Sequence, residues 1–187
     1  LRERISLART SLPAELIEGY VDLWTSNGAS HELTISLGIH PRTFDPETQF
    51  LPQLRRVTRE IARGLGRVSK RRSMELTPEE AVWMAGFYEP SNSDGVLFPH
   101  WHGVIALQPG DEPPLRHVLS DCLGDDADNG RAGTSPLTRP VISLPKAKPT
   151  FHLAPLVTPH RYIAYATKKV RHSNVIHWTT HDFLPQF

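Results

Sequence analysis

Residues 81–107 read AVWMAGFYEPSNSDGVLFPHWHGVIAL, and this stretch decides the fold. Ala81 to Tyr88 is rich in apolar and aromatic residues, and so is Phe98 to Leu107; each reads as a β-strand. Between them Pro90-Ser91-Asn92-Ser93-Asp94-Gly95 is a polar turn, so the two strands form a hairpin. Successive side chains on a strand point to opposite faces. His100 and His102 therefore present two imidazoles side by side, and Trp101 goes to the other face, where a large apolar residue belongs.

Upstream of the hairpin, Phe50 to Val68 places Leu51, Leu54, Val57, Ile61 and Leu65 at helical spacing, with Arg55, Arg56, Arg59, Arg63 and Arg67 opposite. Before it, His31 to Leu37 alternates as a half-buried strand, with Leu33, Ile35 and Leu37 on one side and Thr34 and Ser36 on the other. Pro13 to Trp24 is an amphipathic helix broken by Asn27-Gly28. Downstream, Pro113 to Leu123 is a short helix and Phe151 to Val157 a strand. Pro159 to Arg171 is a helix with Thr158 as N-cap and Pro159 at its first position. The order β-α-β-β-α-β-α predicts an α+β fold of the ferredoxin-like, split βαβ kind. It implies a central antiparallel sheet of about five strands, with helices packed on one face. The expected division is a helical extension over 1–30, one domain over 31–172 and a tail over 173–187. An irregular insertion interrupts the domain at 124–149.

Composition narrows the class. At 187 residues the chain is long enough for one domain with a substantial core. The single cysteine, Cys122, excludes an internal disulfide and a cysteine-based zinc cluster, and suits a cytoplasmic setting. The longest apolar run, Val82 to Tyr88, is far short of a membrane span, and no signal peptide is expected, since Leu1-Arg2-Glu3-Arg4 lacks an apolar stretch. Lys plus Arg total 21 and Asp plus Glu 20, a net charge of +1, but the charges are segregated. Phe50 to Glu75 is net +6, Lys146 to His172 is net +6, and Pro109 to Gly130 is net −5. Each basic run by itself reads as a solvated helix face. Together they predict a basic groove with an acidic loop elsewhere.

Two clusters carry chemistry. His100 and His102 are half of a metal site, and Glu89, at the end of the partner strand, is the candidate third ligand. Alone, a His-x-His pair is equally an incidental strand pattern. In Tyr162-Ile163-Ala164-Tyr165-Ala166-Thr167-Lys168-Lys169, Tyr165 and Lys168 stand one helical turn apart. A phenol with pKa near 10 needs assistance to act as a nucleophile, and a nearby ammonium supplies it. Alone, this stretch is an amphipathic helix with a core tyrosine and solvated lysines. His31, His40, His117, His152, His160, His172, His177 and His181 lack ligand spacing and read as surface or core histidines. No glycine-rich phosphate loop is present, so no ATPase is expected here.

In order, the Leu33–Leu37 strand, His100-Trp101-His102 and Tyr165-Ala166-Thr167-Lys168 resemble the motifs of the HUH endonuclease superfamily, in particular its rolling-circle replication initiators (Rep type). The resemblance spans roughly Glu32 to Val170. Conjugative relaxases place the tyrosine before the histidines, and single-tyrosine transposases tend to carry a glutamine where this chain has a lysine. The resemblance implies site-specific nicking and joining of single-stranded or hairpin origin DNA through a 5′-phosphotyrosine on Tyr165, with Tyr162 as a possible second tyrosine. It further implies Mn²⁺ or Mg²⁺ on His100, His102 and Glu89, assistance by Lys168, and host replication proteins as partners, with no membrane. Arg55, Arg59, Arg63, Lys169 and Arg171 are the expected DNA contacts. A transposase with the same chemistry and a catalytically silent nucleic-acid-binding module on the same fold are the alternatives.

Overall fold

The computed structural model describes residues 12–36, 50–91, 97–123, 150–168 and 176–184. Helix α1 (Ala14–Ser26) precedes strand β1 (His31–Ser36), helix α2 (Leu51–Gly64) and a short 3-10 turn at Arg72–Glu75. Then come β2 (Met84–Ser91), β3 (Leu97–Ile105), α3 (Glu112–Leu123), β4 (Thr150–Pro155), α4 (Pro159–Ala166), β5 (His177–Thr179) and α5 (Thr180–Phe183). The strands form one antiparallel sheet in the order β4-β1-β3-β2-β5. The chain is thus α+β, and the histidine strand β3 is the middle strand. Among the described residues no helix is long and apolar enough to cross a membrane. The 124–149 insertion lies outside the described residues.

Helices cover both faces of the sheet, where the sequence had suggested one. On one face, α2 (Leu54, Val57, Ile61) and α3 (Leu115, Leu119, Leu123) bury Leu33, Ile35, Met84, Trp101, Ile105 and Phe151. On the other, α1 (Ile17, Trp24) and α4 (Tyr162, Ile163, Ala166) close over Ala85, Phe87 and Val104. The reason is that β3 is apolar on both sides. Trp101 and Ile105 demand one cover, and Val104, two residues beyond His102, demands another. The N-terminal helix, read as an extension, holds the tyrosine helix in place: the Trp24 and Tyr162 rings lie 6.1 Å apart.

Trp101 is fully buried and lies over Gly103, with Gly86 directly across the ladder. A Cβ at Gly103 would overlap the indole, and one at Gly86 would strike both the indole and the Gly103 backbone. The two glycines clear the space that lets a bulky residue alternate with the histidines on one strand. The tail residues complete this side. β5 pairs with β2, and Phe183 meets Trp101 edge-on at 6.3 Å.

Strand and helix ends moved in two informative places. β2 starts at Met84, not Ala81, and continues through Pro90 to Ser91, with a register shift between Glu89 and Ser91. Proline has no N–H for the ladder, so regular pairing stops at Glu89. Helix α4 ends at Ala166, well short of Arg171. Thr158 is its N-cap residue as read, but the hydroxyl makes no capping bond.

Candidate metal centre and adjoining tyrosine

The register of β2 against β3 builds the centre. Glu89 stands directly opposite His100, and Phe87 opposite His102, so Glu89 reaches both imidazoles from one side. Glu89 Oε2 lies 3.0 Å from His102 Nε2 and 3.2 Å from His100 Nε2. The three ligand-bearing atoms all lie within 4.8 Å of one another. Glu89 and His102 are buried, 1% and 3% exposed, in contrast to a solvated acidic patch.

Burial would raise the Glu89 carboxyl, but hydrogen bonds and charge from His100 and His102 outweigh it and hold it down at about 2. Burial also pushes the His102 imidazole down to about 4, against the pull of Glu89. At neutral pH the pair is a carboxylate beside a neutral imidazole, the protonation state that a metal ion requires of its ligands.

The residues fit a divalent cation. Metal bonds of about 2.0–2.2 Å to N and O donors put neighbouring ligands about 3 Å apart, the spacing of Glu89 Oε2 from both nitrogens. The second oxygen, Glu89 Oε1, is buried with no hydrogen-bond partner among the described residues, and the same holds for Ser36 Oγ, across from His100. Buried polar atoms of this kind call for an ion or water. Two imidazoles and one carboxylate suit Mn²⁺, Fe²⁺ or Zn²⁺, and are nitrogen-rich for Mg²⁺ or Ca²⁺.

Thr34 supplies what the sequence reading missed. It stands opposite His102 on β1, and its hydroxyl lies 2.9 Å from His102 Nδ1. The same oxygen lies 3.3 Å from the Tyr162 hydroxyl. Tyr162 is buried, and burial pushes its phenol far above the usual value of 10.0. Tyr165, one turn further, is 50% exposed, and its ring meets His102 edge-on at 5.1 Å. The two tyrosines thus differ sharply in environment, although they stand only three positions apart.

Lys168 lies one residue beyond the C-cap, Thr167. A turn bond from its N–H to the Tyr165 carbonyl, 3.3 Å, brings it back. Its ammonium sits over the Tyr165 ring, 3.5 Å from the centroid, a cation–π contact with the face of the ring. Beside this group opens a cleft of about 570 Å³. Glu32, Thr34, His102 and His152, all on one face of the sheet, line it from below. Val157, Arg161 and Tyr165 line it from the β4–α4 side.

The expected DNA contacts are not brought to this place. Arg55, Arg59 and Arg63 lie on α2, across the sheet from the histidines. Arg55 donates to the Phe183 carbonyl and Arg63 pairs with Glu60. Lys169 and Arg171 lie outside the described residues. Among the described residues Arg161, a member of the second basic run, lines the cleft. His152, read as a surface or core histidine, also lines it. Comparison of the chain with protein-family models, with curated proteins and with solved structures finds no match.

Proposed function

We propose that the chain is a metal-dependent enzyme that nicks and rejoins single-stranded DNA, of the HUH endonuclease, replication-initiator type. The observation that carries this reading is the packing of a half-exposed tyrosine, Tyr165, against a ligand of a buried His-His-Glu cluster. The histidine strand in mid-sheet, with α4 packed beside it, supports the same reading.

In the proposed reaction Tyr165 Oη attacks the scissile phosphorus. A Tyr–O–P bond forms as the phenol gives up its proton to solvent, the P–O3′ bond breaks, and the 3′-oxygen takes a proton from solvent and leaves as a hydroxyl. The DNA is held as a 5′-phosphotyrosine, and the exchange of one ester for another lets the same site rejoin it. His100, His102 and Glu89 would hold a divalent cation, which would supply Lewis-acid polarisation of the phosphate and charge neutralisation. Lys168, above the Tyr165 ring, adds positive charge where phosphate and phenolate charge develop. Arg161 is the further cation that lines the cleft. The α2 arginines take no part at the scissile phosphate. Tyr162, buried and bonded to Thr34, serves as a positioning residue. The free 3′-hydroxyl would then prime synthesis by host replication proteins. A Mn²⁺-dependent protein–DNA adduct on single-stranded oligonucleotides, absent in EDTA, is the test.

A further inference from the structure

We propose that the cleft beside Tyr165 seats the base of a nucleotide next to the scissile phosphate, and that Glu32 selects bases carrying an exocyclic amino group. The inference rests on the single-stranded DNA reading above and adds the ligand chemistry of its neighbouring pocket.

Three observations lead to it. The cleft is continuous with the centre, because His102 and Tyr165 line it. At about 570 Å³ it falls in the size range of small-molecule sites. Its rim is apolar and wet. Val157 is 87% exposed and Tyr165 half exposed, and with Leu16 these are the exposed large hydrophobic residues among the described ones. Two of the three therefore flank one cleft, which suits a flat aromatic ligand in contact with both.

Charge sets the orientation of that ligand. A carboxylate in the cleft repels a phosphate, so the sugar–phosphate backbone runs past Arg161 and Tyr165, and the base turns toward Glu32. Glu32 and Thr34 share a face of β1 with His152 of β4, so the base meets the part of that face, on its β1–β4 side, that lines the cleft. A carboxylate accepts hydrogen bonds and donates none. It pairs with the exocyclic amino group of cytosine or adenine, whereas thymine presents the acceptor O4 at that position and offers only its N3–H beside it.

The test is fluorescence anisotropy of labelled dC12, dA12 and dT12 in Mn²⁺ buffer with the full chain, Glu32→Gln and Val157→Asp. The amide of glutamine both donates and accepts, so it removes the discrimination without removing volume. The unmutated protein should hold dC12 and dA12 about tenfold tighter than dT12, and Glu32→Gln should bring the three within about twofold. Val157→Asp, at an exposed position, should weaken all three about fivefold. Equal binding of dC12 and dT12 by the unmutated protein, or an unchanged preference in Glu32→Gln, overturns the proposal. If Glu32→Gln does not fold, unweakened binding by Val157→Asp overturns it. A covalent adduct on randomised single strands with no base preference overturns the pocket and leaves the nuclease reading standing. Selective binding without any adduct does the reverse, and no binding of any oligonucleotide overturns both.

Discussion

The hydroxyl of Thr34 lies 2.9 Å from Nδ1 of His102, while Nε2 of the same ring faces Glu89 at 3.0 Å. With the His102 proton on Nε2, that N–H donates to Glu89 and Thr34 donates to Nδ1. When Nε2 gives its lone pair to a cation, the proton sits on Nδ1 and Thr34 becomes the acceptor. A hydroxyl serves in both states and a methyl in neither. Thr34→Val should therefore weaken metal binding about 10–100-fold, the usual effect of losing a partner behind a ligating histidine. Thr34→Ser should restore it. Titration with Mn²⁺ alone, followed by electron paramagnetic resonance, reads this without any DNA.

Metal binding should also appear as stability. At a free concentration about a hundred times the Kd, a ligand that binds the folded state alone adds about 2.7 kcal/mol. For a chain of this size that raises Tm by about 5–10 °C. Glu89→Gln should lose most of this rise, which differential scanning calorimetry with and without Mn²⁺ measures. A full rise in the variant would remove Glu89 from the ligand set.

His177 gives a pH dependence whose sign is fixed. Its ring lies 4.7 Å from that of Tyr20 and 4.9 Å from that of Phe87, and burial pushes its pKa down from 6.5 to about 4. Its contribution is intact above pH about 6.5 and is lost as pH falls toward 4, because the unfolded chain takes up the proton first. The slope is at most about 1.4 kcal/mol per pH unit for one proton. His177→Phe should flatten urea-unfolding stability across that window by up to this slope, leaving the share due to His102. It should not destabilise at pH 7, because His177 Nε2 has no hydrogen-bond partner among the described residues.

Gly103 tests the packing behind the histidine strand. A methyl there would overlap the Trp101 indole, so Gly103→Ala should cost about 1–3 kcal/mol, the usual range for overpacking. Chemical denaturation provides the number. Gly19, whose Cβ would meet nothing among the described residues, is the control: Gly19→Ala in α1 should stabilise by up to about 1 kcal/mol.

The local pattern made the hairpin legible, because alternation sets which residues share a face. It thereby placed His100, His102 and Trp101. Glu89 followed from the same hairpin, although the bulge after it depends on Pro90. Thr34 was out of reach as a partner of His102, since 68 positions separate them and only the β1–β3 register joins them. The side of the sheet taken by the α2 arginines was legible in principle. Right-handed crossovers put α2 and α3 on one face. The large apolar Trp101 must face those helices, which sends the histidines to the other side. Charge segregation along the chain suggested a common groove and said nothing of faces, so it misled.

Tyr165, beside the His-His-Glu cluster, is the proposed nucleophile. Incubation with a randomised single-stranded DNA pool and Mn²⁺, nuclease trimming and peptide mass spectrometry locate the attached nucleotide directly. A phosphonucleotide is expected on Tyr165, absent in EDTA and in Tyr165→Phe, and persisting at reduced yield in Tyr162→Phe. Attachment to Tyr162, or no covalent product from the unmutated protein, would contradict it.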